Sequence, residues 1–414
     1  MLSNFSFLKL IIFLFPFSFL TGPFLPDFLI VLMSIISIYF LYKNQFSDFY
    51  INKLYLIFFL TFFFIIILSS LLSQNILNSL IHFDGPIFYF RYLFFIIFIQ
   101  QILIKDFRIL KLLYNSILIS TLFLLFDGIF QWIFSFDMLG IKNNSIRVTG
   151  VFGSEEILGH YLGFIAPILY ILNLYFFKNT SKLYILINIL ILLFCLFVTL
   201  ISGDRTGLLK LTFFLIAIFL FDKSVRKYLT YLLLIFIFIS VILINSSQNL
   251  KFRYSETVNQ MMDARISFIP FNRNHENHII GSYRMFIDKP LIGHGPQGFR
   301  LYCKNNINYN FSENVCNNHP HNYYFQSLAE LGILGFVLIL GFYLYLCLFM
   351  IKRLSIAFIS KHTTNLESVK SLFLSHLLIN FFPLMPHFNF YNNWTNSLLF
   401  LNISLVIYFF NLRD

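Results

Sequence analysis

Long apolar runs recur from one end of the chain to the other, and they constrain its fold more than any other feature. Each is about 15–25 residues long, which is enough for a tilted helix to cross the ~30 Å hydrocarbon core of a bilayer. The pattern predicts an all-α polytopic integral membrane protein with about 12 transmembrane helices. They are predicted near residues 5–21, 24–42, 54–73, 86–104, 112–133, 157–177, 183–201, 207–221, 228–245, 326–351, 366–383 and 395–412. Prolines interrupt the first two runs, which could therefore form one merged or re-entrant segment.

Charge is too sparse for a water-exposed surface of this size. Only 11% of the residues are charged and 58% are hydrophobic, whereas soluble domains carry about 25% charged residues. The net charge of +11 would suggest nucleic acid in a soluble protein. Here Lys and Arg flank the apolar runs, so membrane lipids are expected as partners and nucleic acid is not.

The distribution of Lys and Arg predicts the orientation. With a cytoplasmic N-terminus, the inner segments are rich in basic residues, while the short outer loops carry only Lys142, Arg147 and Arg205. The positive-inside rule then places both termini in the cytoplasm. No cleavable signal peptide is expected, because the second run follows the first almost at once without an A-x-A-like site.

We expect a single membrane domain over residues 1–414. A large outer loop, predicted over 246–325 with short helices, is inserted between helices nine and ten. The inner loops are short and carry no G-x-x-x-x-G-K-[ST] motif, so direct use of ATP is not expected.

Two short outer segments contain arginines beside glycines. Arg205 lies in SGDRTG, and Arg147 lies in IRVTGVFGSEE. A guanidinium suits phosphate oxygens, so each arginine could belong to an anion site. The alternatives for Arg205 are a salt bridge to Asp204 or an interfacial position, and Ser154 and Glu155 could simply cap a helix.

The large loop begins with NRNHENHIIGSYRMFIDKP, residues 272–290. Its histidines, His275 and His278, are spaced i, i+3 and do not form the H-E-x-x-H zinc motif, so no metal is expected. The apolar residues that follow predict an amphipathic helix along the interface. In the next segment, PLIGHGPQGFR, the glycines either bring N–H groups to an anion or form a simple tight connection.

The end of the loop combines two cysteines with two histidines. Cys303 and Cys316 lie in an outward-facing, oxidising compartment, where a disulfide between them is the natural expectation. His319 and His321 follow directly and precede an apolar helix. Near its ordinary pKa of about 6.5, histidine is largely neutral at neutral pH and can accept a proton from a hydroxyl.

Four motifs in this order resemble the O-antigen ligase / O-antigen polymerase superfamily of bacterial envelope transferases, most closely its O-antigen ligases. The resemblance covers about residues 145–350. The matching residues are Arg147, Gly150 and Phe152; Ser202, Gly203 and Arg205; Pro290, Gly293 and Gly295; and His321, Asn322, Glu330, Gly332 and Gly335.

The resemblance implies a glycosyltransferase of the bacterial inner membrane with a periplasmic active site. Such enzymes join a glycan carried on undecaprenyl pyrophosphate to a sugar hydroxyl of lipid A–core, inverting the anomeric carbon without metal, ATP or other cofactor. Carried over, His321 is the catalytic base, and Arg205 and Arg147 bind the pyrophosphate. Further substrate contacts are expected among His319, His278, Arg284, Arg300 and Asn322.

One departure from the family pattern concerns the loop arginine. Many members carry a further Arg and a Trp at the start of the amphipathic segment, but this chain has Arg273, His275 and His278 there and no Trp. Arg284 and Arg300 therefore compete for the role of loop arginine.

Two other functions fit the sequence. An O-antigen polymerase uses the same donor but a glycan acceptor, and the motifs barely distinguish it from a ligase. A polysaccharide transporter or flippase could also have twelve helices. It does not require the large outer loop, however, and matching interrupted helices in two halves of the chain are not evident.

Overall fold

The computed structural model describes residues 2–43, 53–81, 86–142, 146–177, 182–262, 273–306, 308–309, 315–359 and 364–412. These parts of the chain are almost entirely helical and contain no strand. The helices are α1 Leu2–Ser18, α2 Phe24–Tyr42, α3 Lys53–Leu71, α4 Ile76–Leu80, α5 Arg91–Lys105, α6 Arg108–Phe134, α7 Leu158–Phe177, α8 Lys182–Ile201, α9 Arg205–Phe221, α10 Arg226–Ser246, α11 Gln248–Met262, α12 Arg273–Asp288, α13 Gly298–Tyr302, α14 Tyr323–Ile359, α15 Asn365–Asn380 and α16 Asn393–Asn411.

Each of the predicted spans coincides with a helix, and α1 and α2 are separate. Among the described helices, 8 are long and apolar enough to cross a membrane. They are Phe24–Tyr42, Lys53–Leu71, Pro86–Lys105, Arg108–Phe134, Leu158–Phe177, Arg226–Ser246, Tyr323–Ala357 and Asn393–Asn411. The all-α membrane class is therefore supported, while the count of twelve spans stays a prediction.

The helices form an inner group and an outer rim, and both are apolar. On α7 and α16, apolar side chains such as Ile165 and Leu401 are fully buried. On α10, Leu234 and Phe238 are 61% and 68% exposed. A helix that is apolar on every side is either buried in protein or surrounded by lipid. The exposed rim is therefore the surface expected to face hydrocarbon.

The helix α14 is broken at Gly332, whose φ of 65° and ψ of −160° are not helical. The segment after α12 forms hydrogen bonds with backbone groups of α14 on both sides of Gly332. The Ile333 N–H donates to the Pro290 carbonyl at 2.8 Å, and the N–H groups of His294 and Gly295 donate to the Ala329 and Glu330 carbonyls at 3.0 and 2.9 Å.

These bonds correct the suggestion that PLIGHGPQGFR presents its N–H groups to an anion. In this segment the glycines serve a tight connection. A Cβ on Gly293 would lie 2.4 Å from the Glu330 carbonyl carbon, and one on Gly332 would lie 2.5 Å from the backbone of Leu291 and Ile292. The Pro-x-x-Gly-x-Gly motif therefore contacts the Glu-x-Gly-x-x-Gly part of the fourth motif through backbone atoms.

The large loop has a small apolar core of its own. Met285, Phe299 and Val315 are fully buried there together with Cys303. Cys303 and Cys316 form a disulfide with their Cα atoms 5.5 Å apart. The predicted amphipathic helix is α12, which packs against α14 through its buried face. The described part of the loop from α12 onward, residues 273–306, 308–309 and 315–322, is consequently a compact unit that packs against α14.

Candidate functional site

A cavity of about 590 Å³, lined by charged, imidazole and apolar side chains, opens at one end of the helical bundle. It is bordered by the segment before α7, the start of α9, α11, α12, the start of α14 and the connection between α15 and α16. Its charged and imidazole side chains are those of Arg147, Glu156, His160, Asp204, Arg205, Arg253, His275, His321 and His387. Three of the four family motifs, those with Arg147, Arg205 and His321, therefore contribute side chains to one cavity.

Glycines set the position of the SGDRTG segment. A Cβ on Gly207 would lie only 2.1 Å from the Gly159 carbonyl oxygen, and one on Gly159 would lie 2.5 Å from the Asp204 Cβ. The helices α7 and α9 therefore touch backbone to backbone. Asp204 caps α9, because its carboxylate accepts the Gly207 N–H at 3.1 Å. This contact places Arg205 in the first turn of α9, at the cavity wall.

Three guanidinium groups meet around the turn at Gly203. Arg147 Nε donates to the Ser202 carbonyl at 3.3 Å, and Arg253 Nε donates to the Gly203 carbonyl at 3.2 Å. Burial, followed by the nearby charge of Arg147, lowers the pKa of Arg253. Arg147 also pairs with Glu156 at 2.6 Å. Like charges held this close favour an anion between them.

Sequence reasoning missed Arg253, the third arginine that lines the cavity. It lies on α11 in the stretch KFRYSET, which carries no motif. Arg284 and Arg300, the two candidates from the sequence for the loop arginine, do not line the cavity. Arg284 is exposed and donates to the Asn308 carbonyl at 2.8 Å, and Arg300 is half-buried outside the cavity lining. Only the folded chain brings α11 beside Arg147 and Arg205.

His321 lies at the cavity in an unusual backbone conformation, with φ at 54°. Its carbonyl accepts the His387 N–H at 2.8 Å, which ties it to the α15–α16 connection. Asn322 caps α14, since its side-chain oxygen accepts the Tyr324 N–H at 3.0 Å, and its amide donates to the Pro383 carbonyl at 2.8 Å. Asn322 is buried outside the cavity lining and positions its neighbour.

Four imidazoles cluster at this corner of the cavity. The ring of His321 lies 4.0 Å from that of His319, 5.2 Å from His275 and 5.5 Å from His278, measured between centroids. His278 Nδ1 lies 2.7 Å from the Val315 carbonyl oxygen, so this nitrogen carries the proton. In the described part of the chain, no group of three or more His, Cys, Asp or Glu is arranged to hold a metal ion.

The cluster keeps its imidazoles neutral. Burial, reinforced by the three neighbouring imidazoles, lowers the pKa of His321 to about 2. Burial, followed by the charge of His278, lowers the pKa of His275 to about 4, and burial likewise lowers that of His319 to about 4. A neutral imidazole has a lone pair for a proton, but one with so low a pKa is a weak base. An anion in the cavity would raise these pKa values, because opposite charge favours the protonated form.

The fold and the cavity define an all-α membrane protein with arginines and imidazoles gathered at one end of its bundle. Residues 189–340 match the family model described as O-antigen ligase. This match confirms the resemblance to the O-antigen ligase superfamily. It includes Arg205, Arg253 and His321, whereas Arg147 lies before it. No curated protein matches the chain.

Proposed function

We propose that the protein is an O-antigen ligase. It transfers a glycan from undecaprenyl pyrophosphate to a sugar hydroxyl of lipid A–core at the periplasmic face of the inner membrane. The observation that carries this proposal is the convergence of Arg147, Arg205 and Arg253 on the cavity that His321 also lines. The family match supports the same class of chemistry.

The donor diphosphate is held by the three arginines in this mechanism. Guanidinium groups bind phosphate oxygens in pairs and stabilise the charge that develops on the leaving diphosphate. The acceptor hydroxyl oxygen attacks the anomeric carbon from the opposite side and inverts it. The bond between that carbon and the phosphate oxygen breaks, and its electron pair leaves with undecaprenyl pyrophosphate.

The acceptor proton passes to a ring nitrogen of His321 in the same step. His321 by itself is a weak base, because burial and its neighbours lower its pKa to about 2. The negative charge of the bound donor raises that pKa, so the base becomes effective when the donor is present. Proton abstraction is thereby coupled to occupation of the arginine site.

The lipopolysaccharide profile of a strain lacking the gene tests this function. A missing ligase leaves long lipid-linked polymer together with bare core. Complementation with the wild-type gene should restore capped core, and His321→Asn should not. Core that carries a single repeat unit in the deletion strain would overturn the ligase proposal in favour of an O-antigen polymerase.

Transfer by purified protein provides the second test. Mixing it with lipid-linked glycan and core acceptor, in the absence of an ion gradient, should yield capped core. Translocation of the lipid-linked glycan without any transfer would instead indicate a flippase.

A further inference from the structure

A carboxylate lies among the arginines of the cavity. Glu156, in the segment that precedes α7, lines the cavity, and its Oε2 accepts a hydrogen bond from Nη1 of Arg147 at 2.6 Å. The Glu156 side chain is 42% exposed, whereas that of Arg147 is 16% exposed. Solvent therefore reaches the carboxylate much more readily than the guanidinium, so Glu156 is the partner that can turn away.

The guanidinium of Arg147 is held in place by contacts that do not involve Glu156. Its Nε donates to the Ser202 carbonyl at 3.3 Å. A Cβ on Gly203 would lie 3.8 Å from the Arg147 Cγ and 3.2 Å from the Arg253 Cγ, so both side chains pass over the same turn. The two arginines consequently keep their positions when the carboxylate leaves.

Asp204, the other carboxylate of the described cavity lining, has a different role. It is 7% exposed and caps α9 by accepting the Gly207 N–H at 3.1 Å, so displacing it would leave the first turn of that helix uncapped. Glu156 also acts on a second arginine. Burial and the charge of Arg147 lower the pKa of Arg253, and the charge of Glu156 opposes that shift. Glu156 is therefore the carboxylate placed to exchange with another anion.

The donor and the product of the proposed reaction differ in charge at this site. In the donor, both ends of the diphosphate are esterified. When the glycan leaves, the terminal phosphate gains an oxygen that loses its proton near about pH 6, so the product carries about one more negative charge. Guanidinium groups bind the more highly charged anion more strongly. A cavity with arginines alone would therefore hold the product more tightly than the donor.

We propose that Glu156 is a displaceable counter-anion that promotes release of the diphosphate product. The incoming donor replaces the carboxylate at Arg147, and the carboxylate returns to Arg147 as the product leaves. Only ion pairs and hydrogen bonds are exchanged. Glu156 acts through Arg147, so it is not a catalytic residue. This inference rests on the proposed function and deepens it.

Binding to purified full-length protein in lipid nanodiscs tests this exchange. The probe is a short-chain isoprenyl diphosphate, which has the head group of the product. Glu156→Gln should bind it about three- to tenfold more tightly than wild-type protein, because Gln has nearly the same size but no charge to compete for Arg147. Glu156→Asp keeps the charge, so it should bind the probe more weakly than Glu156→Gln.

Glu155→Gln is the matched control. Glu155 is the preceding residue, is also exposed and does not line the cavity. The substitution removes the same charge from the same segment, but at a distance at which solvent and salt screen it. Affinity for the isoprenyl diphosphate should stay within about twofold of the wild-type value.

Product inhibition of steady-state transfer separates this role from a structural one. In Glu156→Gln the inhibition constant of the added isoprenyl diphosphate should fall about three- to tenfold, and the KM for donor should fall less. If Glu156 only stabilises the start of α7, its loss should lower the thermal midpoint without tightening inhibition.

Unchanged or weaker binding and inhibition in Glu156→Gln, or an equal gain in Glu155→Gln, would disprove the counter-anion role and leave the proposed function standing. Failure of wild-type protein to bind the isoprenyl diphosphate would instead disprove the proposed function, and this inference with it.

Discussion

The carbonyl of His321 accepts the backbone N–H of His387 at 2.8 Å, which joins the start of α14 to the α15–α16 connection. His321 has a φ of 54°, in the left-handed region that few residues other than Gly adopt and in which Asn, Asp and His are enriched. The hydrogen bond between the two backbones therefore fixes the position from which the His321 side chain reaches the cavity.

Replacement of His321 tests its role as the base. His321→Asn should lower transfer by at least about 10²-fold, because general-base catalysis typically contributes 10²–10⁴ in rate. Asn tolerates the left-handed conformation, so the thermal midpoint should change little. Binding of isoprenyl diphosphate should be retained. Transfer at the wild-type rate would exclude His321 as the base.

The arginines are tested by exchange for lysine. Arg205→Lys and Arg253→Lys should each lower kcat/KM by about 10–100-fold, because a lysine cannot make the paired bonds of a guanidinium. Arg284→Lys is the control, since Arg284 is exposed and outside the cavity lining. A comparable loss in that control would show that the effect does not come from the cavity.

The lowered pKa values of the imidazole cluster predict that acid destabilises the large loop. The pKa values of His275 and His319 are about 4 in the folded protein, against about 6.5 when unfolded. Below pH 6.5 the unfolded chain binds more protons, so stability falls as pH drops from about 6.5 toward 4. The loss at pH 5 should be at most roughly 2 kcal/mol for each imidazole.

Thermal unfolding in detergent between pH 7.5 and 4.5 measures this dependence. His319→Phe should reduce its slope, whatever its effect on the midpoint at pH 7.5. An unchanged slope in this variant would remove His319 as a source of the pH dependence.

The disulfide is tested through the stability of the same loop. Cys303→Ser combined with Cys316→Ser should destabilise it by roughly 3 kcal/mol in the chain-entropy model. The Val315 carbonyl, next to Cys316, bonds to His278, so the imidazole cluster should loosen as well. Limited proteolysis should cut the double variant faster within residues 290–320. Cys347→Ala, at a free cysteine on α14, should leave the cutting rate unchanged.

The helices and the motif residues could be predicted from the sequence, because each depends on a local pattern. Apolar runs located the helices, and the motifs around Arg147, Arg205 and His321 identified residues that fold into one cavity. Arg253 could not be predicted, because its role depends on the packing of α11 against the Gly203 turn, and its own stretch carries no signal. His160 was overlooked within an apolar run, where an ionisable side chain is itself unusual enough to suggest a function.

The glycine motifs are the case in which spacing alone left two interpretations open, and they lead to a last prediction. Gly332→Ala should destabilise the protein by about 2–4 kcal/mol, because a Cβ would lie 2.5 Å from the backbone of Leu291 and Ile292 at a φ of 65°. Gly341→Ala, on the same helix but with nothing within 4 Å of its Cβ, should be neutral or stabilising by up to about 1 kcal/mol. Comparing the thermal midpoints of the two variants measures how much the contact between the large loop and α14 contributes to stability. Equal midpoints would show that this contact does not stabilise the protein, whereas a loss of transfer confined to Gly332→Ala would show that it positions His321.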